Sequence, residues 1–181
     1  GLNVKVYIPT NIYERYDYES VNVYRAPYSH LEKILEDFDP DLICVHFLYP
    51  NISKIMKISS SPIVVWVHGT DALIKSLNNY FPSFTLRDNV NRMYVLFQDV
   101  VRNLRVRLFF RKIDAVIYVS NWMKNAAERY LLCKHPNSYV IPNPVDTDLF
   151  KPINTNKDTH SAISLRSLGW KYGLDIAIKA Y

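Results

Sequence analysis

The feature that most constrains this chain is an alternation: short apolar runs without polar interleaving, followed by stretches with helical spacing. The segments "NVKVYIP" (3–9) and "VNVYRA" (21–26) have strand composition, and "SHLEKILEDF" (29–38) then sets Leu31, Ile34, Leu35 and Phe38 on one helical face. The strands continue with "DLICVHF" (41–47), "PIVVWVH" (62–68), "DAVIYVS" (114–120) and "SYVIP" (138–142). The helices continue with "ISKIMKIS" (52–59) and "NWMKNAAERYLL" (121–132), the latter with Asn121 as its expected cap. Strands that are apolar at every position need cover on both faces, and strands alternating with helices run parallel. The predicted fold is therefore α/β, a Rossmann-like domain with a mostly parallel doubly wound sheet.

In such a sheet ligands collect at the carboxyl ends of the strands, which draws the eye to "PIVVWVHGTDA". The apolar run stops at His68, Gly69, Thr70 and Asp71, and Thr-Asp before Ala-Leu-Ile reads as a helix start. On these residues alone the preferred reading is structural: His68 satisfies a backbone carbonyl, and Thr70 and Asp71 cap a helix. His46 ends "DLICVHF"; it either faces a cleft or, more commonly for a histidine in an apolar strand, belongs to the core.

Composition narrows the class without choosing a function. No apolar stretch approaches the roughly 18 residues of a membrane-spanning helix, and no cleavable leader pattern stands at the front. Cys44 and Cys133 make neither a disulfide framework nor a CxxC metal pair, so a cytoplasmic location is expected, at most peripheral on the cytoplasmic face of a membrane. The net charge of +5 suits nucleotide phosphate, anionic lipid or nucleic acid alike.

After "DTDLFKP" the segment 153–161 is polar and aperiodic and reads as a linker. A new strand-to-helix start, "AISLRSLGWKYGLDIAIKAY", occupies 162–181. One strand and one helix cannot close a domain, so the natural protein is expected to continue past Tyr181. The front is expected to lack its first strand, because no glycine-rich turn follows "GLNVKVYIPT". The organisation expected is thus 1–152 as one domain, 153–161 as linker and 162–181 as the start of a second.

Several of these segments together resemble glycosyltransferase family 4, the group 1 family of two-domain GT-B enzymes. The most specific is "SYVIPNPVDTDLFKP", preceded by "DAVIYVSNWMKNAAERY"; "FDPDLICVHF" and "PIVVWVHGTDAL" are similar to the family's two strand-end segments, and "SLRSLGWKYGLDIAIKAY" to the opening of its second domain. Pro144 stands where the family most often has glycine, and Lys171 and Gly173 are separated by Tyr172. The resemblance implies a retaining transferase that takes sugar from a nucleotide-diphosphate sugar to a glycan or lipid acceptor, with no cofactor and no metal. It also implies His68 as the catalytic contact to the transferred sugar and Gly69, Arg166 and Lys171 as donor-binding residues; His46, Thr70 and Asp71 stand as the acceptor-side candidates. A 181-residue piece of such an enzyme is expected to be inactive alone.

Two other readings compete. The pairs Asp39/Asp41 and Asp146/Asp148 have the Asp-x-Asp form that holds a divalent cation, but both sit where Asp and Pro make turns. The segment "RNLRVRLFFRK" (102–112) carries five basic residues and no acid, and would suit nucleic acid or an anionic membrane, with the membrane preferred as a partner over nucleic acid. Together with the residues just before it, Phe97, Val101, Leu104 and Leu108 are expected to form the core-facing stripe and Arg102, Arg105, Val106 and Phe109 the other side, the commonest explanation being a basic surface helix whose end tucks Phe109 and Phe110 under the next strand. The stretch 74–94 is expected to be the acceptor loop region.

Overall fold

Seven strands and five α-helices follow one another in a computed structural model that describes residues 1–77, 85–151, 161, 163–167, 169 and 172–181. Four parallel strands form the main sheet in the order β4 (Ile43–His46), β5 (Ile63–Val67), β6 (Ala115–Tyr118) and β7 (Ser138–Val140). A smaller sheet has the order β1 (Lys5–Pro9), β3 (Val21–Ala26), β2 (Glu14–Tyr18), with β1 parallel and β2 antiparallel to β3. The Rossmann-like, mostly parallel α/β architecture is the one the alternation predicts.

The register explains which side chains make the core. Val65 lies opposite Val45 and Val116, so Ile63, Val65 and Val67 share a face with Val116 and Tyr118. Against that face pack Ile52, Ile55 and Met56 of α2 (Ile52–Ile58), Val106, Phe109 and Phe110 of α3 (Leu86–Phe110), and Met123, Ala127 and Leu131 of α4 (Asn121–Leu131). On the opposite face of the sheet, Cys44 and His46 are exposed and Val64 and Trp66 half-buried.

Three local expectations need correction. The cap of α4 is Ser120, whose hydroxyl accepts from the Met123 amide at 3.1 Å; Asn121 is already inside the helix. Strand β2 was not expected, since "ERYDY" is exposed throughout, and its hairpin turn at Glu19 and Ser20 uses φ of 47° and 68° without the Asn-Gly pair that usually marks such turns. From Leu86 onward the supposed loop 74–94 is helix, begun by a capping box in which Thr85 and Asp88 each accept the other's amide. Its residues 78–84 lie outside the described residues, as does the expected linker except Ser161. Helix α1 (Leu31–Phe38) ends at Asp39 with φ 44°, a left-handed cap, and α5 (Leu174–Ala180) begins after Gly173 with φ 60°.

Candidate functional site

Parallel pairing puts the ends of β4 and β5 side by side, and the alternation of side chains does the rest. His46 is the register partner of Trp66, and His68, two residues further along the same strand direction, points to the same side. The His46 ring stacks on Trp66 with centroids 5.8 Å apart and lies 5.2 Å from the ring of His68. The two imidazoles meet edge on, His46 Nδ1 to His68 Nε2, at 2.9 Å. One of these nitrogens must carry a proton and the other a lone pair, so a single proton sits between them. His46 Nε2 and His68 Nδ1 have no partner among the described residues.

His46 is therefore exposed at a strand end and not part of the core, and His68 pairs with a second imidazole instead of a carbonyl. Partial shielding of the ring from water, reinforced by His68, pushes His46 below the ordinary imidazole value of 6.5. The sign follows. An unfolded His46 takes up its proton as pH falls through 6.5, while the folded one resists until lower pH, so stability from the neutral pair is present above 6.5 and is lost below it. We expect an NMR titration of His46 to give a midpoint under 6.5 that moves upward in His68→Ala. A midpoint at or above 6.5 in the parent chain would contradict the geometry.

The turn that carries His68 is organised by Asp71. No α-helix starts there: the Ala72 and Leu73 amides both donate to the Gly69 carbonyl, making one turn before a short 3-10 segment at Lys75–Leu77. The fully buried Asp71 carboxylate accepts the Gly69 amide at 2.6 Å, the Leu48 amide at 2.8 Å and the His68 amide at 3.3 Å. One side chain thus ties the loop after β4 to the loop after β5. Between His46 and Leu48, Phe47 has φ 75°, a conformation costly for an aromatic residue, fixed by its own amide bond to the Trp66 carbonyl and by the Leu48–Asp71 bond that follows. Gly69 has φ 153°, where side chains are rarely tolerated, and a Cβ placed there would meet nothing within 4 Å; the residue itself is buried, its amide held by Asp71 and its carbonyl by the Ala72 and Leu73 amides.

A second layer holds this turn from α3. Arg102 donates to the carbonyls of Thr70 and Leu73, both at 2.8 Å, and to Asp99 at 2.8 Å. Asp99 in turn accepts the Lys75 amide at 2.7 Å, and Asn103 donates to the Ala72 carbonyl at 3.2 Å. Burial pushes the Arg102 guanidinium below its ordinary value, and Asp99 and then Asp71 oppose that shift. This trio was missed in the sequence; an Asp and an Arg three apart, followed at once by Asn, were its only signal. It also overturns the expected helix face. Asp99, Asn103, Val106, Phe109 and Phe110 are buried, while Phe97, Leu104 and Leu108 are exposed, because the loop carbonyls of residues 70–73 need the polar side of α3.

The remaining expected residues are not gathered here. Thr70 is half-buried and contributes its carbonyl to Arg102. Arg166 is exposed with its guanidinium 5.4 Å from the Tyr172 ring, and no described contact joins it to His46 or His68. Lys171 lies outside the described residues. Asp146 accepts the amides of Asp148 and Leu149, the role of a turn former. Among the described residues no group of three or more His, Cys, Asp and Glu is placed to hold a metal, and no helix is long and apolar enough to cross a membrane.

A parallel α/β sheet with an imidazole pair at the carboxyl ends of adjacent strands is of the Rossmann-like class, in which ligands are held at such strand ends. The model of Glycosyltransferase Family 4 matches residues 5–149, and the chain belongs to that family, whose members are sugar transferases that use nucleotide-sugar donors. No curated protein matches the chain.

Proposed function

We propose that the chain is the acceptor-side part of a retaining glycosyltransferase that moves a sugar from a nucleotide-diphosphate sugar to a glycan or lipid acceptor without a metal. The observation that carries this is the His46–His68 pair at the strand ends, beside the turn that Asp71 holds. In the reaction proposed, the bond from the sugar's anomeric carbon to the diphosphate breaks, an acceptor hydroxyl oxygen bonds on the same face, and its proton passes to the departing phosphate. His68, through Nδ1, which has no partner among the described residues, orients the transferred sugar, and His46, Thr70 and Asp71 line or shape the acceptor side. Arg166, as a planar fork, and Lys171, as a point charge, balance the diphosphate. Preorganised donors of this kind are how a transferase stabilises the charge that develops as the bond breaks.

On this reading residues 1–152 are one domain, 153–161 a linker and 162–181 the beginning of the donor-binding domain. The proposal that 1–152 takes one more strand is supported by β1 and β4, each of which is an edge of its own sheet among the described residues. The enzyme is proposed to act in the cytoplasm, peripherally at an anionic membrane, with no cofactor.

The test is an assay of nucleotide diphosphate release from a panel of nucleotide sugars. The 181-residue chain alone is expected to give no steady transfer, and an enzyme carrying the donor domain to keep nearly its full rate in EDTA, where a metal site that carried the phosphate charge would lose it. Collapse on chelation with recovery in manganese would favour the metal-dependent alternative. Sustained transfer by the 181-residue chain would end the reading of it as one part of a two-domain catalyst.

A further inference from the structure

The buried polar trio has a consequence on the other side of α3. Leu86, Val90, Met93, Phe97, Leu104 and Leu108 recur at spacings of three, four and seven, and each is more than half exposed. They form one row that runs nearly the whole helix, about 33 Å at 1.5 Å per residue. The helix cannot roll this row inward, because Arg102, Asp99 and Asn103 fasten its back to the carbonyls and amide of residues 70–75.

Charge decides what the row suits. At about 100° per residue, Arg87 and Arg105 fall about 80° to one side of the row and Arg107 about 80° to the other; all three are exposed, as are Arg111 and Lys112 just past the helix end. The helix has two acids, and both are on its back: Asp88 in the capping box and Asp99 under Arg102. An apolar strip bounded on both sides by cations, with no acid on the exposed half, matches a surface that is apolar in its depth and anionic at its rim. A second copy of this chain fits worse, since face-to-face pairing would set arginine against arginine.

We propose that the exposed face of α3 from Leu86 to Leu108 is an interfacial membrane-docking surface, lying in the plane of an anionic bilayer with its arginines at the headgroups. Membrane attachment through α3 belongs with the peripheral location proposed above but is separable from sugar transfer: binding is read with no donor present, so either can fail while the other stands.

The 181-residue chain is cosedimented with large unilamellar vesicles of phosphatidylcholine alone, and with roughly a third phosphatidylglycerol, enough to give a negative surface potential. Binding to the anionic vesicles is expected to be at least about tenfold stronger than to the neutral ones and to weaken as salt rises. The double substitution Phe97→Asp and Leu104→Asp is expected to reduce it by about tenfold or more with an unchanged melting temperature, because both side chains are exposed. Should that variant fold poorly, Met93→Gln alone is expected to weaken binding severalfold, and Arg105→Gln with Arg107→Gln to erase the anionic preference. No binding by the parent chain overturns the proposal, and so does binding that survives the apolar substitutions. A dimer in sedimentation equilibrium that Phe97→Asp dissociates, without vesicle binding, assigns the face to a second copy instead. An oligonucleotide that binds independently of Phe97 and Leu104 and displaces the vesicles assigns it to nucleic acid.

Discussion

Replacing Asp71 with asparagine is expected to lower the melting temperature by about 5 to 15 °C, the largest stability loss of any single polar substitution near the site. The carboxylate is fully buried and serves three backbone amides with two oxygens. An asparagine keeps one oxygen. If its amide nitrogen takes the place of Oδ2, the Leu48 and His68 amides lose their acceptor and face a donor; if it flips, the Gly69 amide does. Each buried amide left unpaired costs about 1 to 3 kcal/mol, so a total of about 2 to 5 kcal/mol is expected. The damage is not confined to stability, because Leu48 follows the strained Phe47 and Gly69 follows His68. Freed from Asp71, the loops after β4 and β5 no longer hold their imidazoles in register, and the lowering of the His46 titration midpoint should disappear along with the thermal stability. Thermal melts by circular dichroism decide the matter. A melting temperature within about 2 °C of the parent would mean that the three amides find other acceptors and that Asp71 is not what joins the two loops.

How much of this could be read from the residues differs between the sheet and the site. The strands β3, β4, β5 and β6 were legible because a run such as "IVVWV" has no polar face to offer water and must be buried. Strand β2 was not, because Glu14 to Tyr18 are all exposed and are held by pairing to β3 and by an Arg25–Glu14 ion pair at 2.8 Å, neither of which leaves a hydrophobic pattern. Helix α3 shows a different limit. Its 3.6-residue period groups Phe97 with Leu104 and Leu108 correctly, but periodicity states which residues share a face and not which face turns inward. The usual assumption that the apolar face does so fails here because a buried turn, 70–75, offers carbonyls and an amide that only Asp99, Arg102 and Asn103 can satisfy. The site was half legible for the same kind of reason. From "HGTD" alone the preferred reading is a histidine satisfying a carbonyl and a helix cap, and only its place at a strand end raises a ligand-holding edge. That His46 would be its partner depends on the parallel register of β4 and β5, a contact across 22 residues that no local pattern encodes.

The imidazole pair makes the second large effect specific. In an enzyme carrying the donor domain, His68→Ala is expected to cut sugar transfer by roughly tenfold to a thousandfold, the range one hydrogen bond to a reacting group supplies. The melting temperature should barely move, since what holds the turn is the His68 amide and not its ring, and the ring's bond to His46 is made near solvent. His46→Ala separates the roles. If His46 only orients its neighbour, removing it leaves Nε2 of His68 without its partner, the ring free to turn about χ1, and a smaller loss, about tenfold. The exposed position of His46 predicts that this variant too stays folded, where a core histidine would have lost stability first. The double variant supplies the decisive comparison. Two residues that act as one unit give a double loss close to that of His68→Ala alone, whereas independent contacts give the product of the two single losses. A pH profile adds a check on the pair: protonation of His46, which the fold holds below 6.5, puts a charge beside His68, so the parent rate should change with acid below 6.5 in a way that His46→Ala does not show. An unchanged rate in a folded His68→Ala enzyme would remove the imidazole pair from the site and leave Gly69 and the diphosphate-binding residues to carry the sugar.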